Sequence, residues 1–132
     1  MPPSQTRDIQ QGDIYWVDIP KGETRGSEQY KRRPFIIMSR TSANRACNTV
    51  VGVPLSTQVD LTKPAANPFR ILIPAREITK DIGFSGEVKI CLAKTDQVRV
   101  LDKSRLENRM GTLSNTATIA VGCGLAFLFD LR

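Results

Sequence analysis

Histidine is absent from all 132 residues. That gap removes every mechanism resting on an imidazole: serine–histidine triads, paired-histidine ribonuclease schemes and histidine-rich zinc hydrolases. Proton traffic in any enzyme built from this chain must run through carboxylate, lysine, hydroxyl or water. Cysteine is scarce as well. Cys47, Cys91 and Cys123 lie far apart, are odd in number and form no CxxC pair, so a zinc knuckle and a dithiol redox site both lack their usual spacing. Three scattered thiols suit a reducing cytosol, each as a small core hydrophobe. Long apolar runs are missing too. The longest, Ile119 to Phe129, has 11 residues, against about 20 needed to cross a bilayer. The polar N-terminal stretch MPPSQTRDIQQ lacks an apolar signal core, so a cytoplasmic location without a cleaved leader is expected. No internal repeat or low-complexity tract is present.

What remains is an ordinary globular composition with a basic bias. Hydrophobic residues make up 40% and charged residues 24%, which points away from disorder, and the length suits one domain spanning 1–132. Residues 1–11 are expected to form a flexible N-terminal extension. The net charge of +6 is spread evenly: residues 1–66 carry nine cations and six anions, residues 67–132 ten and seven. A basic face, suited to a polyanionic partner, fits that distribution better than a basic tail.

Strand patterns come first along the chain. GDIYWVDI (12–19), FIIMS (35–39), TVVGVPLS (49–56) and FRILIP (69–74) are rich in β-branched and aromatic residues, and Pro54 suggests a bulge or strand end within the third. EVKICLAKTDQVRV (87–100) is expected to bend or break around residues 93–96. Leu101, Leu106 and Met110 stand at roughly helical spacing, which predicts a short helix over 101–110. A second helix is predicted from an N-cap at Ser114 to about Leu128, its interior glycines tolerated through close packing on a sheet or a second subunit. The sum is a mainly β chain with short helices: a small, curled, mostly antiparallel sheet covered by a C-terminal helix.

Three stretches carry chemistry. GSEQYKRRP (26–34) packs Glu28, Lys31, Arg32 and Arg33 against the start of the second strand, at the end of a long connection of the kind that is often functional. Arg33, its backbone constrained by Pro34, offers a rigid fork of donors suited to phosphate, or it could pair with Glu23 or Glu28. PLST (54–57) ends a strand on hydroxyls that either satisfy a turn or donate to a phosphate oxygen. Lys94 and Asp96, two apart, would share one side of a strand, as a surface ion pair or as a proton donor and a base. Trp16 and Tyr30 are candidate stacking surfaces for an unpaired base, although a mid-strand tryptophan also suits a core.

Taken together and in this order, GDIYWVDIPKG, GSEQYKRRPFIIMS, VVGVPLSTQ and LAKTDQVRVLDKSRL make the chain resemble the MazF/PemK (Kid) family of toxin endoribonucleases over about residues 11–106. The resemblance implies the small SH3-like β-barrel of MazF-, PemK- and CcdB-type toxins, a homodimer, and a cognate antitoxin that blocks the active groove. It also implies sequence-specific cleavage of single-stranded RNA by attack of the 2′-OH, with no metal or other cofactor. Carried over by position, Arg33 would contact the scissile phosphate with Ser56, Asp96 would be the base, and Lys94 would be the proton donor. Lysine at 94 stands where PemK-type members have arginine, and their first-loop histidine has no counterpart here. Arg25, Glu28, Gln29, Tyr30, Lys31 and Arg32, with Thr57 and Gln58, form the expected RNA-binding set. Two rival expectations are a toxin of the same fold that poisons gyrase and an RNA-binding module that does not cut.

Overall fold

The computed structural model describes residues 8–19, 32–59, 67–84 and 86–131. Among these described residues eight strands form one sheet: β1 (Asp13–Val17), β2 (Arg33–Ile37), β3 (Thr49–Ser56), β4 (Arg70–Ile73), β5 (Ile78–Lys80), β6 (Cys91–Lys94), β7 (Arg99–Asp102) and β8 (Leu106–Leu113). Two helices accompany them, α1 (Thr41–Ala46) and α2 (Asn115–Leu128). The strand order is β4-β6-β3-β2-β1-β8-β5, with β7 also paired to β3, and the pairings are antiparallel. The sheet curls into a half-barrel, and the mainly β architecture with a C-terminal helix is the one expected.

Both faces of the sheet are buried, which explains the continuous apolar runs. Ile14, Ile36, Val53, Leu55 and Ala93 point to one side, where Ala117 and Val121 of α2 cover them. Tyr15, Val17, Phe35 and Ile37 point to the other, against Leu101 and Leu106. Pro54 lies within an unbroken β3, at the place where that strand changes partners. Residues 49–52 pair with β7 and residues 55–56 with β6.

The helix predicted over 101–110 is not formed. That segment is the end of β7, a tight turn at 103–105 and most of β8. Two register shifts in the pairing of β8 with β1 break the two-residue alternation, so apolar residues four apart imitate helical spacing. Gly111 marks how closely β5 approaches there, since a Cβ on it would stand 2.3 Å from the Thr79 carbonyl oxygen. The second predicted helix forms over the predicted range. Ser114 caps it by accepting from the Ala117 N–H at 3.1 Å, and its hydroxyl donates to Glu77 at 2.7 Å. Gly124 lets it settle on the sheet, a Cβ there meeting Ile71 and Thr95 at 3.1 Å.

Helix α1, whose polar sequence gives no periodic signal, holds residues 9–11. Buried Asn44 donates to the Ile9 and Ser39 carbonyls, 3.0 Å each, and is bonded to the Ser39 hydroxyl. The Gln11 amide donates to the Met38 carbonyl at 2.7 Å.

Candidate active site

Antiparallel pairing puts partnered side chains on the same side of a sheet, and residues two apart stay on that side. The register pairs Phe35 with Pro54, Ser56 with Leu92, and Lys94 with Arg70. Arg33, two residues before Phe35, therefore shares a face with Ser56, Lys94 and Arg70. This is the face of the Tyr15–Phe35 cluster, continued past the ends of β2 and β3 to where it opens.

Each group there has a distinct environment. The Arg33 side chain is half-buried, and its Nε is buried with no hydrogen-bond partner among the described residues, an arrangement that suits an incoming anion. Ser56 is 3% exposed. Its Oγ accepts from the Gln58 N–H at 3.2 Å, the turn role foreseen for it, and its O–H remains a donor. Thr57 and Gln58 are exposed. Thr57, one residue on from Ser56, belongs to the opposite side of the strand.

Lys94 ends β6, and Asp96 lies in the tight turn 95–97 rather than in a strand. Arg70 grips the Asp96 carboxylate with two bonds, Nε to Oδ1 at 2.8 Å and Nη2 to Oδ2 at 3.0 Å. Those bonds hold the carboxyl below the usual aspartate range, against the opposing effect of burial. Burial draws the Lys94 ammonium below the usual lysine range. The guanidinium groups of Arg70 and Arg33 add to that shift, and Asp96 opposes it. Arg70 escaped the sequence reading. Its only signal was an arginine in the alternating FRILIP strand, and nothing local reveals its cross-strand partner.

On the other side of β2 and β3 lies an open cleft of about 220 Å³. Trp16, Pro34, Leu55 and Phe84 wall it, Glu87 and Lys89 stand at its mouth, and Arg33 and Thr57 reach its rim. The Arg32 guanidinium lies 4.4 Å from the Trp16 ring centre and pairs with Glu107 at 2.5 Å. Trp16 thus both packs against the α2-side core and backs a cationic plane. Cys47 and Cys123 are exposed and Cys91 is buried, so one of the three thiols is the core hydrophobe expected. Arg25, Glu28, Gln29, Tyr30 and Lys31 lie outside the described residues.

The fold is a small curled antiparallel sheet backed by a C-terminal helix, with an arginine, a hydroxyl, a lysine and a clamped carboxylate on one face near the ends of β2, β3 and β6. The chain belongs to the family of PemK-like, MazF-like toxins of type II toxin-antitoxin systems, whose family model matches residues 10–129. An endoribonuclease MazF of Staphylococcus epidermidis is 27% identical over 124 residues, covering 94% of this chain and 93% of that protein. Among solved structures, MazF of Deinococcus radiodurans superposes with a TM-score of 0.69 at 21% identity, covering 95% of this chain and 99% of its own. A mycobacterial endoribonuclease solved with its cognate antitoxin gives 0.64 at 18% identity, covering 95% and 96%.

Proposed function

We propose that the chain is a toxin endoribonuclease that cuts single-stranded RNA without a metal ion, acting as a cytoplasmic homodimer that a cognate antitoxin blocks. Residues 1–132 would act as one toxin domain. The reading is supported by family membership and is carried by one observation, the convergence of Arg33, Ser56, Lys94 and Asp96 at one end of the sheet.

RNA brings its own nucleophile. The 2′-oxygen attacks the adjacent phosphorus and its proton passes to Asp96, which Arg70 keeps ionised while each carboxylate oxygen retains a lone pair. Arg33 and the Ser56 hydroxyl donate to the non-bridging oxygens as charge grows on them. The bond to the 5′-oxygen breaks, and Lys94, its acidity raised by burial and then by two neighbouring guanidinium groups, returns a proton to the leaving oxygen. The products carry a 2′,3′-cyclic phosphate and a 5′-OH. On the opposite side of β2, Arg32 backed by Trp16 offers a plane on which an unstacked base could lie.

Arg33→Ala is expected to lower kcat by about 10²–10³-fold, the usual loss for one electrostatic donor to a developing oxyanion. Cleavage of a mixed RNA, followed by end analysis, measures this, with circular dichroism showing that the variant is folded. The same RNA methylated at its 2′-oxygens should stay intact, and EDTA should change nothing. Equal breakage of methylated RNA would overturn the mechanism. Binding of the unmodified RNA with no cleavage would favour the non-cutting module.

A further inference from the structure

Arg70 stands directly across the strand pair from Lys94 and holds both oxygens of Asp96. Its chain neighbour Phe69 holds the residue between them: the Phe69 carbonyl accepts from the Thr95 N–H at 3.0 Å and from the Thr95 hydroxyl at 2.5 Å. Helix α2 closes the back, with Thr95 and Ile71 seated against Gly124. The turn that presents Asp96 is closed by its own Val98 N–H to Thr95 carbonyl bond at 3.2 Å, and it is anchored from across the strand pair by Phe69 and Arg70. A bidentate arginine fixes a carboxylate in plane as well as in place, which a single ammonium does not.

We propose that Arg70 is a positioning residue for RNA cleavage, orienting the Asp96 carboxylate and setting which of Lys94 and Asp96 holds the proton. The proposal rests on the RNA-cleavage reading above. Among the described residues, the charged groups around Lys94 are Arg70 on β4, Arg33 on β2 and Asp96 in the turn. The facing strand β3 and helix α2 contain no charged side chain. The thiol of Cys91, three residues back on β6, alternates to the opposite side and belongs to the core.

Removing the guanidinium has a defined sign. Lys94 is relieved of a like-charged neighbour, so its ammonium becomes less acidic. Asp96 is deprived of its hydrogen-bond donors, so its carboxyl becomes more basic. Cleavage needs Asp96 ionised and Lys94 protonated, so both limbs of the pH–rate profile should move to higher pH in Arg70→Gln. A shift of roughly 0.5–1 pH unit is expected for one nearby, partly exposed charge. Heteronuclear NMR of the Lys94 side chain should show the same upward shift with no RNA present.

Arg70→Lys keeps the charge and removes the fork. Its basic limb should stay near the wild-type position, while kcat falls roughly 10- to 10²-fold at little changed KM, as misplacement of a reacting group predicts. Unmoved limbs and an unmoved Lys94 titration in Arg70→Gln overturn the proposal. Should that variant fail to fold, a full kcat in Arg70→Lys overturns it. A wild-type protein that cuts no RNA, with the Lys94 shift still present on Arg70→Gln, would sink the cleavage reading and leave the electrostatic coupling standing.

Discussion

Among the described residues Asp13 is the one charged side chain that is fully buried, at 0% exposure. It accepts from the Gln10 N–H at 3.0 Å, and Arg109 stands at 3.5 Å. Arg109 forks onto Asp81 at 2.9 and 2.8 Å, and those bonds raise the guanidinium above its already high range. Arg109 is thus permanently charged and bridges β8 to the start of β1 and the end of β5. Arg109→Met would remove one guanidinium from beside the buried Asp13 carboxylate and both donors from Asp81. Breaking a buried pair from one side costs at most about 3–5 kcal/mol, so urea unfolding should show a drop in stability towards that size. A drop below about 1 kcal/mol, the range of an exposed pair, would mean that Asp13 does not depend on Arg109. Gly111→Ala tests a purely steric constraint on the same strand. With backbone at 2.3 Å from the added methyl group, β5 must shift, and about 1–3 kcal/mol of destabilisation is expected from overpacking.

At the scale of elements, helix α2 depends on Ser114, which caps its first turn and also reaches Glu77 beside β5. Ser114→Ala should cost about 0.5–2 kcal/mol, and Ser114→Asp should restore the cap but set a second carboxylate against Glu77. Thermal melts of both variants measure the balance. The same helix shows where sequence reading succeeds. A hydroxyl before a long apolar stretch is a local signal, and local chemistry decides the helix start. β2 and β3 were legible for a similar reason, because strands buried on both faces leave uninterrupted apolar runs. The segment 101–110 defeated that approach, since its bulges against β1 rearranged the alternation and a bulge is a property of two strands. Arg33, Ser56, Lys94 and Asp96 could be nominated as candidates from their motifs and the family resemblance. Arg70 could not, because its significance lies in the residues that the β4–β6 register sets opposite it.

For the whole molecule, with its +6 net charge evenly spread, the proposed RNA binding should weaken steeply with salt. Removing one cation that neutralises a phosphate should flatten the slope of log K against log salt by about 0.7 for a single strand. Arg33→Ala, measured by fluorescence anisotropy on a short uncleavable RNA, should flatten it by about one such step, whereas Arg32→Ala, whose charge is paired with Glu107, should weaken base stacking.

Helix α2 carries the molecule's other exposed feature. Ile119 is 67% exposed and Phe127 62%, and with exposed Cys123 they stand four residues apart on one stripe of the helix; Leu131, just past the helix end, is 66% exposed. Leu72 on edge strand β4, on Arg70's face of the sheet, is 45% exposed as well. Phe127 also stacks on Phe69 at 5.4 Å between ring centres, which extends the patch from the helix to the sheet edge next to Arg70. An exposed apolar stripe of this kind calls for a cover, and the proposed homodimer would supply one. Charging the stripe with Ile119→Lys and Phe127→Glu should therefore convert a dimer into a folded monomer in sedimentation velocity runs at micromolar concentration. If the proteins sediment alike, the stripe is not the subunit interface. If the monomer forms and still cuts RNA at the wild-type rate, each subunit holds a complete site on its own sheet. A monomer that folds but cuts slowly would instead mean that the interface steadies the β4 edge, and with it the arginine that holds Asp96.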